Sequence, residues 1–382
     1  MIPADDRDRE PTARLQSAAE PAPSAADPYY PPPDSAGGWR FARSDSEVRE
    51  SAGLDPPKLR LEGQEHQWLF GGDTWAISVI RNGILAAEFR TFNVLDASRF
   101  DIWSATKSFT SLAFGILLGD RTGDPQAASG LTLDSPAYDF ITEGHPLTDD
   151  RKRLVTVRHL LTMTAGFAGQ SRMAFGTPTS LGEGLFEFAL GRVANRHGCD
   201  AATLIADPGT RWEYSDPGYA HLALVFAHAA GTEIDEFLNQ RLFGPIGVPP
   251  VSWTRAGGGD LIGPHTVPHT GLVLSARELA RVGYLLLRGG SWEGRTVVPK
   301  DWIDLATSSS QDLNPNYGYG FWTNAAGTLW PGAPSDAFAL MGFRGNRCWV
   351  VPSLDLVVAR TGSGPAVIDD HYFPMRVLDA LL

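Results

Sequence analysis

The chain has 382 residues, 43% of them hydrophobic and 20% charged, which suits two domains or one large domain carrying an insertion and excludes a wholly disordered chain or a coiled coil. Its 32 basic and 44 acidic side chains give a formal charge of −12 with no basic stripe, which argues against sequence-independent binding to nucleic acid or to an anionic membrane. Only two cysteines occur, Cys199 and Cys348, without zinc-site spacing, and neither a secretory core in the first thirty residues nor an apolar membrane span is visible; the expectation is free thiols, no metal and a reducing, cytoplasmic setting.

Residues 1–40 hold 8 of the 28 prolines among Ala, Asp, Ser and Arg, too little apolar surface to order a chain. A tail is expected over residues 1–50 and a folded domain over 51–382, with the transition somewhere in 41–65. The first folded feature is a pair of apolar runs, Trp75 to Ile80 and Ile84 to Phe89, joined through Asn82-Gly83, the strongest short-range hairpin signal. The run TKSFTSLAFGILLGDRTG that follows Ser104 is apolar nearly all round and reads as a buried helix ended by Gly119 and Gly123. RHLLTMTAGF at 158–167 and YAHLALVFAHAAG at 219–231 read as further helices, with His221 and His228 of the second taken as packing residues. SARELARVGYLLLRGG at 275–290 is another helix, with an early acid, later arginines and a Gly-Gly stop. CWVVPSLDLVVART predicts two strands about a proline turn, followed by a short helix to Leu382. Strands at both ends with helices between them predict an α+β fold. Its antiparallel sheet is built from N- and C-terminal segments flanked by helices (about 65–120 and 265–382), with a mostly helical insertion over about 121–264.

G-x-S-x-G, H-E-x-x-H and P-loop signatures are absent. What stands out is Ser104-Ala105-Thr106-Lys107 at a loop-to-helix junction. Positions i and i+3 share a helix face, so the serine hydroxyl and the lysine amine come within reach of each other. With 28 arginines against 4 lysines in the chain, a lysine at an apolar helix start is unusual. A second element is Tyr214-Ser215-Asp216, in a turn-rich segment before an apolar helix, where a tyrosine can act as base or proton relay. A third is Gly342-Phe343-Arg344-Gly345, whose glycines admit a substrate close to the backbone, so that the Phe343 N–H can face a developing oxyanion.

The order S-x-x-K, then Y-S-x after PGTRW, then G-x-x-G ahead of VVPSLDLVV resembles the serine β-lactamase-related family. That family groups class C β-lactamases, D-alanyl-D-alanine carboxypeptidases, family VIII esterases and 6-aminohexanoate-dimer hydrolases. The phrases WSATKSFTS, RHLLTMTAGF and YGYGFW look most like the last branch, and the likeness runs over about residues 65–382. The resemblance implies a cofactor-free acyl-transfer enzyme acting on a small-molecule amide or ester. It makes Ser104 the nucleophile, Lys107 its activator, Tyr214 the proton shuttle, and the N–H groups of Ser104 and Phe343 the oxyanion hole. Asp216, Gly342 and Arg344 are then expected at the substrate.

Two departures from the family pattern narrow the substrate. Asp216 stands where the family usually has asparagine, replacing a possible donor with an acceptor. Leu340-Met341-Gly342 stands where the third motif usually begins with lysine or histidine, so the usual cation beside a substrate carboxylate is missing unless Arg344 restores it. A neutral or cationic substrate is expected. If Asp216 reaches Lys107, it holds the lysine protonated and leaves Tyr214 to take the proton. An acyltransferase of natural-product metabolism and a catalytically silent ligand-binding relative remain alternatives; a periplasmic cell-wall peptidase is poorly supported without an export signal.

Overall fold

The computed structural model describes residues 28–70, 72–119, 130–169, 184–194, 198, 201–256, 262–364 and 372–382. One six-stranded antiparallel sheet organises it: β1 (Trp75–Arg81), β2 (Ile84–Arg90), β3 (Trp322–Thr323), β4 (Phe338–Met341), β5 (Arg347–Val351) and β6 (Leu356–Gly362), in the spatial order β3-β4-β5-β6-β1-β2. The two ends of the chain meet where β1 pairs with β6, from Trp75 opposite Gly362 to Arg81 opposite Leu356. Asn82 and Gly83 turn the β1–β2 hairpin with φ of 53° and 71°, the left-handed pair that such a tight turn needs.

Both faces of the sheet are covered, which explains why its strands read as nearly unbroken apolar runs. Cys348, Val350, Val357 and Ala359 face the main core, while Trp349, Val351, Leu356 and Val358 face a second, smaller one, the alternation that a pleated strand imposes. Helix α4 (Ala276–Leu287) packs on the main-core face, entered by a capping box: Ser275 Oγ accepts the Glu278 N–H at 3.2 Å and the Glu278 carboxylate accepts the Ser275 N–H at 2.9 Å. The same core contains α2 (Thr106–Gly119), buried from Thr106 to Leu117, and α3 (Asp216–Ala230), which ends on left-handed Gly231 as its apolar run predicts. The smaller core is closed by α1 (Pro56–Phe70) and α5 (Tyr372–Asp379).

Three expectations need correction. Residues 28–50, read as tail, lie against the body: Trp39 is 7% exposed, Tyr29 and Tyr30 pack on the core, and the buried Arg281 guanidinium donates to the carbonyls of Pro31 and Pro32. The prolines present carbonyls that need no partner strand, and one buried arginine gathers them. Residues 1–27 lie outside the described part. The helix expected over 158–167 is confined to Val157–Leu161, because Met163 takes φ of 62° and the chain beyond it turns to support the Tyr214 segment. His221 packs as expected, bonded to Tyr138 Oη at 2.9 Å and to the Pro217 carbonyl at 2.8 Å, but His228 lies at the surface beside Glu143. Cys348 is a free, buried thiol, while Cys199 and Gly123 lie outside the described residues. No helix among the described residues is long and apolar enough to cross a membrane.

Gly283 lets α4 approach the sheet closely: a Cβ there would stand 2.5 Å from Cys348 Sγ and 2.6 Å from Val357 Cγ1. Neither short side chain has room to swing away. Gly283→Ala is therefore expected to lower stability by about 1–3 kcal/mol through overpacking, despite alanine's better helix propensity. Urea unfolding checks this, and a stabilised variant would contradict the packing described.

Candidate active site

The site forms where three segments meet at the start of α2. Ser104 sits in a single 3₁₀ turn, Trp103–Ala105, that runs directly into the helix. This places Ser104 Oγ 2.9 Å from Lys107 Nζ, one helical turn on. The segment 207–215 brings Tyr214 alongside, its ring centroid 4.7 Å from Lys107 Nζ, and α3 begins at Asp216, whose Oδ1 is 2.7 Å from the same nitrogen. The Ser215 hydroxyl caps α3 by accepting the Gly218 N–H at 3.1 Å, which fixes the residues on either side of it. The serine, lysine, tyrosine and aspartate singled out in the sequence thus share one location.

Lys107 is 1% exposed; its nitrogen lies within hydrogen-bond distance of Ser104 Oγ and, at 3.3 Å, of the His269 carbonyl, and is ion-paired with the Asp216 carboxylate. The Ser104 hydroxyl can donate as well as accept, so the charge on Lys107 follows from the Asp216 carboxylate at 2.7 Å and not from the number of its contacts. Burial disfavours that charge, but Asp216 and Tyr214 more than offset it and hold the lysine proton beyond its ordinary 10.5. The His269 imidazole is fully buried, which pushes it down to about 4, so it adds no second cation at neutral pH.

The two candidate oxyanion donors occupy equivalent positions. Ser104 lies in the first turn of its 3₁₀ turn, and Phe343 opens another, Phe343–Gly345; first-turn N–H groups have no partner within their own helix. The two turns are brought together at Gly342, where a Cβ would stand 2.0 Å from the Ile102 carbonyl and 3.0 Å from the Ala105 nitrogen, so only glycine fits. Arg344 lies outside this contact: its side chain is exposed, with the guanidinium carbon 5.9 Å from the Phe343 ring centroid.

Sequence reasoning missed the residues that hold these pieces in place. Asp101 Oδ1 accepts the N–H groups of Trp103 at 2.8 Å and of Gly271 at 3.1 Å, bracing the turn that carries Ser104. Asp two residues before a bonded N–H is an Asx-turn signal that was there to be read. Asn346 does the same for the Phe343 turn, donating to the carbonyls of Phe343 at 2.8 Å and Gly362 at 2.9 Å and accepting the Gly362 N–H at 2.8 Å. Met163 receives the Glu213 N–H on its carbonyl at 2.9 Å and the Ser215 N–H on its sulfur at 3.4 Å, which aligns the Tyr214 segment. No local pattern announces that last pairing.

A cavity of about 840 Å³ lies elsewhere, between α1 and β2, lined by residues such as Arg60, Glu88, Asp96 and Arg277. Those charges are already paired, Arg60 with Asp45 and Arg277 with Glu88 and Asp96, so the hollow carries no chemistry comparable to the buried trio. Among the described residues, no group of three or more His, Cys, Asp or Glu side chains could hold a metal ion.

A family model described as Beta-lactamase matches residues 76–371. Among solved structures, a protein named as a 6-aminohexanoate-dimer hydrolase from Bacillus anthracis superposes with a TM-score of 0.65 at 17% identity, covering 92% of this chain and 88% of that one. A penicillin-binding protein homologue from Caulobacter crescentus gives 0.60 at 19% identity over 84% of this chain and 94% of its own. EstCE1, named as a hydrolase with promiscuous acyltransferase activity, gives 0.61 at 16% identity over 85% and 97%. At such identities the shared property is the fold.

The buried pair also sets a pH dependence. A lysine whose folded value is raised contributes stability that is fully present below its unfolded value and is lost as pH rises through the folded one. Asp216→Asn strands a buried charge and is expected to cost about 3–5 kcal/mol near pH 7, with the gap to wild type narrowing above pH 10.5, where Lys107 of the unfolded chain releases its proton while the folded wild type still holds it. Urea unfolding of both proteins at neutral and alkaline pH checks this; a gap that stays constant would contradict the pairing.

Proposed function

The chain belongs to the beta-lactamase family of serine hydrolases, and on that premise we propose that it forms an acyl-enzyme on Ser104 and hydrolyses an amide or ester of a neutral or cationic small molecule. The observation that carries this reading is the Ser104 hydroxyl held 2.9 Å from a buried lysine that is itself neutralised by Asp216 at 2.7 Å.

A serine attacks only when its proton has somewhere to go. Lys107, held as a cation, has no lone pair to receive it, so the step requires Tyr214 as a phenolate beside that cation: the proton passes from Ser104 Oγ to the phenolate oxygen, giving the neutral phenol, while the Lys107 charge stabilises the alkoxide as it forms. Ser104 Oγ bonds to the substrate carbonyl carbon, and the carbonyl electron pair moves to the oxygen, received by the N–H groups of Ser104 and Phe343. Collapse of this adduct breaks the bond to the amine or alcohol, which leaves with the proton from Tyr214. Water then attacks the acyl-enzyme, gives its proton to Tyr214, and releases the acid as Ser104 regains its hydrogen. An amine or alcohol in place of water would give acyl transfer by the same route, so the two outcomes differ in the acceptor and not in the site.

The substrate's charge follows from what faces it. Asp216 replaces an amide, the third motif has no cation in its first position at Leu340, and Arg344 is turned out over Phe343. A substrate carboxylate therefore finds no buried positive partner of its own.

Intact-mass spectrometry after exposure to p-nitrophenyl esters and to linear and cyclic amides tests the covalent step. Wild type is expected to gain one acyl group and Ser104→Ala none; an adduct on the alanine variant would overturn the proposal. Tyr214→Phe is expected to lower kcat by roughly 10²–10⁴, the usual range for loss of a general acid–base group. Rapid turnover of a carboxylate-bearing β-lactam, abolished by Arg344→Ala, would contradict the substrate class.

A further inference from the structure

Two large aromatic side chains stand in solvent beside Ser104. Trp103 is 37% exposed and Phe343 is 45% exposed, and their rings meet edge to face with centroids 5.5 Å apart. Trp103 directly precedes Ser104 and Phe343 carries the second candidate oxyanion donor, so both rings are attached to backbone beside the reacting centre. An exposed aromatic pair at a reactive centre is apolar surface open to a ligand, with the Arg344 guanidinium carbon 5.9 Å from the Phe343 ring centroid.

The backbone is strained to keep the pair there. Trp103 has φ of 52°, a left-handed conformation that a bulky residue rarely adopts. The Asp101 carboxylate holds it by accepting the Trp103 N–H at 2.8 Å. Arg344, next to Phe343, is likewise left-handed at 61°, and its carbonyl is held by the buried Arg360 guanidinium at 2.9 Å. Strain of this kind persists only where surrounding bonds over-determine it, and at both turns those bonds are present.

The other aromatic cluster at the site is already filled. Trp212, Tyr214, Tyr317 and Trp322 pack on one another, with Tyr214 and Trp322 stacked at 6.2 Å. That cluster lies on the Tyr214 side, toward which the leaving group must point in order to take its proton. With the leaving group at Tyr214, the acyl portion is the part of the substrate left to meet Trp103 and Phe343.

We propose that Trp103 and Phe343 form an aromatic subsite for the acyl group, and that the enzyme selects amides and esters whose acyl part carries a neutral aryl or arylalkyl ring. This rests on the acyl-enzyme reading above. The ring packs against the indole and phenyl faces and gains the offset or edge-on contacts that aromatic pairs favour. In the covalent step the bond from Ser104 Oγ to the acyl carbon forms as the bond to the leaving oxygen or nitrogen breaks, and the proton ends on the leaving group.

The test varies the acyl group while the leaving group stays constant. The kcat/KM of p-nitrophenyl 3-phenylpropanoate is divided by that of p-nitrophenyl acetate, for wild type, Trp103→Leu and Phe343→Leu. The wild-type ratio is expected to exceed one clearly, and each variant to lower it about 2–10-fold, the scale of an aromatic contact. A ratio unchanged in both variants, or a wild-type ratio at or below one, overturns the subsite. Wild type alone supplies a check that needs no variant to fold: p-nitrophenyl 3-cyclohexylpropanoate, of similar size but without a π face, is expected to react more slowly than the phenyl ester, and equal rates overturn the aromatic assignment. If neither ester acylates Ser104, the catalytic reading fails; if both acylate it without ring preference, only the subsite does.

Discussion

A cation buried beside a nucleophile is the constraint around which the site is arranged. Lys107 is out of water, and a lone ammonium there would release its proton or disrupt the core. Asp216, Ser104 Oγ and the His269 carbonyl surround it, each drawn from a different part of the chain. The pair contributes specificity of arrangement more than stability, since replacing a buried ion pair with apolar groups is often neutral. What apolar replacement would remove is the fixed positive charge one hydrogen bond from Ser104.

The sheet and helices serve that arrangement by close approach. α2 is held from two sides: Tyr219 Oη donates to the Lys107 carbonyl at 2.8 Å, and Ser108 Oγ donates to the Gly320 carbonyl at 2.6 Å. Gly320 has φ of 78°, and a Cβ there would stand 2.7 Å from Tyr219 Oη, so the strand-side loop reaches the helix only because it carries glycine. Gly342 plays the same part between the serine turn and the Phe343 turn. Packing, not propensity, sets the distances on which the chemistry depends.

Much of this could be read from the chain. Asn82-Gly83 marked the hairpin, Ser275 and Glu278 marked the start of α4, and Pro352 marked the turn between β5 and β6, because each is a local rule acting on neighbours. The spacing of Ser104 and Lys107 placed them on one helix face, and the family resemblance brought Tyr214 and Phe343 to the same site. The substitution of Asp216 for the usual asparagine pointed to the ion pair with Lys107. What stayed hidden depends on tertiary partners. Pro31 and Pro32 order only because Arg281 lies about 250 residues away in sequence to bind their carbonyls. The helix after Val157 stops early because Met163 has an obligation to the Tyr214 segment, and neither Asp101 nor Asn346 reveals its bracing role without the turn it braces.

The division of roles between Lys107 and Tyr214 depends on the protonation state of one nitrogen, and neutron diffraction from crystals of the deuterium-exchanged protein near neutral pH observes it directly. Three deuterons are expected on Lys107 Nζ, directed at Ser104 Oγ, the Asp216 carboxylate and the His269 carbonyl. Two deuterons, with the lone pair facing a deuteron on Ser104 Oγ, would make the lysine the base and contradict the division of roles between Lys107 and Tyr214.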